Sequence, residues 1–249
     1  MSKQAKHIAM WSGPRNISTA LMRAWENRAD TVVWDEPFYA HYLHFSGSPH
    51  PGADEIIASY ETDWVKVVEA VTGAIPHGKS IYYQKHMTHH MLEHIELDWL
   101  SKLTNCFLIR EPREMITSYI RVRGDANVYD TGYPQQLRIF KHVCALRQAQ
   151  GAAIPPVIDS RDVLQNPRRM LSLLCEAIGV EFSEKMLSWP AGKRASDGVW
   201  SKYWYDSVEK STGFAPYKPK SDPVPDHLQE LLAQCNDIYQ ELYPHRLGQ

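Results

Sequence analysis

Short apolar runs, polar breaks and helically spaced stretches follow one another along this chain in a repeating order. The first run, 7–11, is interrupted by Ser12-Gly13-Pro14-Arg15-Asn16-Ile17-Ser18-Thr19, after which 19–28 resumes with Leu21, Met22 and Trp25 on one helical side. Runs at 31–34, 81–84, 106–109 and 156–158 predict four more strands. Pro37 has no N–H for a ladder and closes the second run just past Asp35-Glu36, while Lys85-His86, Arg110 and Asp159 stand at the ends of the other three. Helical spacing predicts helices over 54–74, 89–103, 112–123, 134–150, 167–178 and 226–242, with Pro112 at a first-turn position where its missing N–H costs little. A loop rich in His, Pro, Ser and Gly is expected within 39–52, and 189–213 has no clear period.

Strands alternating with helices predict an α/β fold, with a single parallel β-sheet of about five strands flanked by helices on both faces. With no linker or composition shift, one domain over 1–249 is the simplest organisation. Such sheets bind ligands beyond the carboxyl ends of their strands. Four polar segments fall there: 12–19, Glu36, Lys85-His86 and Arg110.

Charge changes that picture by exclusion. The 27 basic and 29 acidic residues give a net charge of −2, too little to hold nucleic acid or an anionic membrane, so any anion site must be local. The first ten residues lack a secretion signal's apolar stretch, and no segment has the length of a membrane span. Cys106, Cys144, Cys175 and Cys235 are scattered without CxxC spacing and read as buried thiols of a cytoplasmic protein. Eight Trp and 13 Tyr exceed ordinary core demand, so some are expected to line a groove.

In the octet after the first strand, Gly13 permits close backbone approach, Arg15 offers a forked cation, and Ser18 and Thr19 offer hydroxyls beside free helix N–H groups. Read alone, it suits a phosphate or is an ordinary turn with Ser18 or Thr19 capping the helix. It is not a Walker A loop, because no Gly-Lys-Ser/Thr follows Gly13 at the required distance, which also speaks against an Mg²⁺-dependent small-molecule kinase. Arg110 ends a strand and Ser118 lies two helical turns on, placing both within reach of one anionic group.

Arg110, Pro112 and Ser118 together resemble the 3′-phosphate-binding motif of the sulfotransferases that use 3′-phosphoadenosine-5′-phosphosulfate (PAPS). The 12–19 octet is similar to their 5′-phosphosulfate loop, with Pro-Arg for Pro-Lys. Lys193-Arg194-Ala195-Ser196-Asp197-Gly198-Val199-Trp200 resembles their late basic signature, and 159–167 resembles a further strand-to-helix segment. The motifs keep the family's order across roughly residues 7 to 205. The resemblance implies a P-loop-NTPase-like sulfotransferase fold, PAPS as donor substrate, no metal, and a small-molecule hydroxyl or amine acceptor. It assigns Gly13, Arg15, Asn16, Ser18 and Thr19 to the 5′ end, and Arg110, Ser118, Lys193 and Arg194 to the 3′-phosphate. Asn16-Ile17 departs from the usual Ser-Gly, and Ala20 stands where an adenine-stacking aromatic is expected, with Trp25 the nearest substitute.

For catalysis, Arg15 would stabilise the leaving group and Lys85 would meet the sulfuryl group. Glu36, in a Glu-Pro-Phe segment similar to that of bacterial sulfotransferases, and His86, in a segment resembling Lys-x-His, compete as the base, with Glu36 favoured. The alternative from another class is a catalytically silent module that binds 3′-phosphoadenosine-5′-phosphate (PAP). His86, His90 and His94 recur every four residues, as a zinc site on one helix face would require, but a solvated or core-edge stripe is the simpler reading. Trp200, Tyr203, Trp204 and Tyr205 form either a lid or local packing.

Overall fold

The computed structural model describes residues 5–248; residues 1–4 and 249, which the one-domain expectation includes, lie outside the described residues. Five strands, β1 (Lys6–Ser12), β2 (Thr31–Asp35), β3 (Ile81–Met87), β4 (Thr104–Ile109) and β5 (Val157–Asp159), form one parallel sheet in the order β2-β3-β1-β4-β5. The expected α/β class and strand count are both realised. Helices α1 (Ser18–Glu26), α2 (Tyr39–Ser46), α3 (Ala53–Ser59) and α4 (Trp64–Thr72) occupy the first third of the chain. Then come α5 (Pro112–Arg123), α6 (Val128–Thr131), α7 (Tyr133–Ala149), α8 (Ser160–Gln165) and α9 (Pro167–Ala177). Short α10 (Ser201–Trp204) and α11 (Asp206–Glu209) precede the long α12 (Gln229–Leu242).

Strand alternation divides the core in two. Ala9, Trp11, Phe107 and Ile109 pack under α4, α5, α7 and α12, whereas Ile8, Met10, Cys106 and Leu108 pack against α1 and α9 on the other face. The chain leaves β1 towards β2 on one side and β4 towards β5 on the other, so the loops from these adjacent strands diverge at their carboxyl ends. A crevice opens there, as in other open α/β sheets. The four cysteines are free, three of them buried. Among the described residues no helix is long and apolar enough to cross a membrane.

Three expectations need correction. The predicted helix over 54–74 is two helices, because Glu61 accepts from the N–H groups of Thr62 and Asp63 and Asp63 caps α4 by accepting from Val65, so the side chains compete with the helical ladder. The predicted helix over 89–103 does not form; only 3₁₀ turns at Thr88–His90 and Asp98–Lys102 occur. Arg138 takes the carbonyls of Met91 and Leu92 at 3.0 and 3.2 Å, which draws them out of a helical ladder, while six apolar positions from Met87 to Leu103 stay buried. The first half of the expected 39–52 loop is α2, ended by left-handed Gly47 at φ 63°.

Candidate functional site

The crevice holds a cavity of about 420 Å³, within the range of small-ligand sites. Arg15, Asn16, Ser18, Thr19, Arg110 and Ser118 border one end of it. Arg15 has a left-handed backbone at φ 53°, and its Nε donates to Ser118 Oγ at 3.3 Å. Arg110 donates to the Arg15 carbonyl and lies 3.2 Å from Glu114. Burial, and then the nearby Arg110, lower the Arg15 pKa. Lys220 lines the same end and is lowered by burial and by Arg110, with Arg121 and Arg15 adding to this. Three cations thus converge on a wall where α1 begins without a side-chain cap on its N–H groups. Such a wall suits a multiply charged anion.

Gly13 serves the loop differently from the sequence expectation. A Cβ there would stand 2.7 Å from the Thr131 carbonyl, so Gly13 admits α6 rather than a ligand. Asn16 accepts from Ile17 N–H at 2.8 Å and donates to Leu108 O at 3.3 Å, bracing the loop against β4. The left-handed residue is Arg15, while Ile17 stays at φ −87°, a value a β-branched residue adopts without strain.

At the other end, β2 and β3 bring Asp35, Glu36 and Lys85 together. Lys85, 1% exposed, donates to Asp35 Oδ1 at 2.8 Å, to Tyr205 OH at 2.8 Å and to Glu36. Tyr205 in turn donates to Asp35 Oδ2 at 2.6 Å. Burial alone would lower the Lys85 pKa, but Asp35 and Glu36 reverse that and hold it well above lysine's ordinary range. Glu36 sits at φ 46° and is pushed up to about 7, chiefly by burial and further by Asp35, against the opposing pull of Lys85. Arg15 and Glu36 are two of only three non-glycine residues with positive φ among those described. At about 1–3 kcal/mol each, such strain persists where surrounding structure enforces it, and functional sites collect it.

The remaining expected site residues lie elsewhere. His86 faces the sheet side opposite Lys85, stacked on Trp11 at 4.3 Å and 1% exposed, and burial lowers it to about 3. It does not line the cavity. Lys193 is exposed and Arg194 turns to Glu26 and the Pro190 carbonyl, so neither reaches the cavity; Asp197 of the same segment pairs with Arg23 at 2.6 Å. Trp25 is buried against Tyr83 and cannot stack on a ligand, while Phe214 borders the cavity beside Ala20. The His86, His90, His94 stripe is not on a helix: His86 is in β3, His90 ends a 3₁₀ turn, and His94 contacts His41 at 2.9 Å. Among the described residues no group of three His, Cys, Asp or Glu has a metal-holding arrangement. Trp204 and Tyr205 do line the cavity, whereas Trp200 packs into a cluster with Tyr39 and Tyr60.

Sequence reasoning missed Lys220, Phe214 and Arg123 as cavity residues. Lys220 lies in a Pro-punctuated tail, Phe214 in a segment without periodicity, and Arg123 reads as one of two basic residues at the end of α5. A basic residue at that helix end is expected for the dipole alone, which hides any second role.

Comparison with known proteins matches a family model described as a sulfotransferase domain over residues 6–243. Among curated proteins, branched-chain-amino-acid aminotransferase-like protein 2 of Arabidopsis thaliana is 31% identical over 96% of this chain and 41% of its own length. Its companion, protein 1 of the same plant, is 32% identical over 96% of this chain and 42% of its own. The chain therefore spans about two fifths of these relatives. Among solved structures, the sulfotransferase domain of the Synechococcus PCC 7002 olefin synthase has TM-score 0.57 and 17% identity, covering 96% of this chain and 97% of that one. The sulfotransferase domain from the curacin biosynthetic pathway has TM-score 0.52 and 15% identity, covering 97% and 99%.

Proposed function

Because the chain belongs to the sulfotransferase domain family, we propose that it moves a sulfuryl group from PAPS to a hydroxyl or amine of a small acceptor. The observation that carries this reading is one cavity with unbalanced cations at one end and a carboxylate of near-neutral pKa at the other. Arg15, Ser18 and Thr19 would hold the 5′-phosphosulfate, and Arg110 with Ser118 the 3′-phosphate. Lys220 replaces Lys193 and Arg194 in this assignment, being a further basic residue that borders the cavity beside Arg15 and Arg110. Four free cysteines fit a reducing, cytoplasmic setting.

Glu36 takes the proton of the acceptor hydroxyl as its oxygen bonds to sulfur. The bond from sulfur to the bridging phosphate oxygen breaks, the electron pair stays with the phosphate, and PAP leaves. Arg15 stabilises the charge that develops on that oxygen. Lys85 already donates to Asp35, Glu36 and Tyr205, so it tunes and holds Glu36; direct contact with the sulfuryl group would require one of these bonds to break.

Thermal unfolding with PAP, AMP and ATP tests the donor. A ligand at a hundred times its Kd stabilises by about 2.7 kcal/mol, roughly 5–11 °C for a chain of this size. PAP should give the largest shift because AMP lacks the 3′-phosphate. No selective shift with PAP overturns the assignment.

A further inference from the structure

We propose that Arg123, His89, His90 and Tyr42 form an acceptor subsite that selects a hydroxyl compound carrying a carboxylate. The inference rests on the sulfotransferase reading for the fate of the hydroxyl, but the subsite's chemistry stands on its own residues. A second cavity of about 710 Å³ adjoins the first, and the two share His89 and Arg123 in their walls. Arg123 therefore lies where an acceptor extending outward from Glu36 would place its far end.

Two kinds of polar group there are incompletely partnered. Arg123 has the Tyr119 hydroxyl as a hydrogen-bonding neighbour but no carboxylate within ion-pair distance among the described residues. Asp130, which shares the outer cavity, accepts instead from Asn127 N–H at 3.2 Å and caps α6. His89 and His90 are 8% and 1% exposed, and the Nδ1 of each has no hydrogen-bond partner. Burial lowers His89 to about 3, helped by neighbouring charges that include Arg123, and puts His90 well below the ordinary range. Both are neutral near pH 7, each with one donor and one acceptor nitrogen, and in both the Nδ1 atom itself is buried. His90 Nε2 is 3.9 Å from Glu36 Oε2, which ties this wall to the base.

The rings set the shape. His90 stacks on Tyr39 at 4.5 Å and on Tyr42 at 4.9 Å, so the wall is flat and rigid, and Tyr39 feels the charges of both Glu36 and Arg123. Neutral imidazoles suit hydroxyls, whereas an uncompensated guanidinium suits a carboxylate bound by its two oxygens. A neutral alcohol would leave the Arg123 charge without an opposite charge, and a second cation would be repelled by it.

Calorimetric titration of the whole chain, with and without saturating PAP, tests the subsite. The probes are para-hydroxybenzoate and β-hydroxybutyrate, each beside its methyl ester. At least one acid should bind about tenfold or more tightly than its ester, the weight of one charge-assisted contact. Arg123→Gln should bring that ratio near one while leaving the ester's Kd and the PAP thermal shift unchanged; Arg123→Lys should keep part of the preference. No acid favoured over its ester in the unaltered protein, or a preference that survives in R123Q, overturns the subsite. A missing PAP shift overturns the donor reading instead, and the titration without PAP still decides this one.

Discussion

The two ends of the cavity solve opposite electrostatic problems. At the Arg15 end, Arg15, Arg110 and Lys220 crowd together, Glu114 is the carboxylate within reach of Arg110, and burial with mutual repulsion lowers Arg15 and Lys220. At the Glu36 end, Lys85 faces two carboxylates, and burial, with Asp35 adding to it, raises Glu36 to about 7. The first end keeps an excess of positive charge, and the second is satisfied by its own residues. A wall of unbalanced charge binds; a closed network of balanced charge tunes one member.

The sharpest way to break this comparison is at Glu36. With Glu36 as the proposed base, Glu36→Gln should lower kcat by about 10²–10⁴ while the PAP shift is retained. In the unaltered protein kcat/KM should climb about tenfold per pH unit up to about pH 7 and level off above it, since only ionised Glu36 accepts a proton. The stability sign is opposite. A carboxyl raised in the folded state contributes stability below its ordinary value of 4.5 and loses it as pH rises through about 7, so Glu36→Gln should unfold at higher temperature than the parent at pH 8. Equal melting temperatures there, with unchanged turnover, would show that Glu36 is neither strained electrostatically nor the base.

Next in size is Lys85→Met. It leaves Asp35 and Glu36 buried together without their cation, which costs about 3–5 kcal/mol, or roughly 6–20 °C in Tm. Removing a cation from the other end has the reverse character. Arg110→Ala relieves Arg15 and Lys220, so Tm without ligand should barely move, while PAP affinity drops by about 1.5–3 kcal/mol, roughly ten- to 150-fold. A large loss of stability in Arg110→Ala and none in Lys85→Met would invert the comparison and remove it.

How far the sequence exposed these two ends depends on where each group sits relative to a strand. Arg15, Glu36, Lys85 and Arg110 follow apolar runs, and parallel pairing carries the ends of all such runs to one edge, so their proximity was legible from periodicity alone. His86 stands off the cavity because β3 continues to Met87; one residue further along a strand changes the face, and that register is set by pairing with β1, where Trp11 receives the ring. Lys193 and Arg194 lie away from the cavity for another reason. Their segment has no regular period, and its path follows long-range pairs such as Asp197 with Arg23 and Ser196 with Glu26, which no local pattern encodes. Lys220 and Phe214 escaped on the same ground.

Tyr205 tests the smallest effect and the link between the ends of the closed network. Its hydroxyl accepts from Lys85 and, at 3.4 Å, from Trp200 Nε1, and it donates to Asp35, so Tyr205→Phe leaves the burial intact and removes three hydrogen bonds. Asp35 then depends more fully on Lys85, and the ammonium shifts its share of interaction from Glu36 towards Asp35. Glu36, losing part of the pull that opposes its burial, should rise above 7. A net hydrogen-bond difference of about 0.5–1 kcal/mol corresponds to roughly half a pH unit. The acid limb of the kcat/KM profile should therefore move upward by that amount, with the plateau nearly unchanged. A downward shift would mean that Tyr205 restrains Lys85 from Glu36 rather than sharing Asp35 with it, and a lowered plateau without a shift would place the hydroxyl in contact with the reacting atoms.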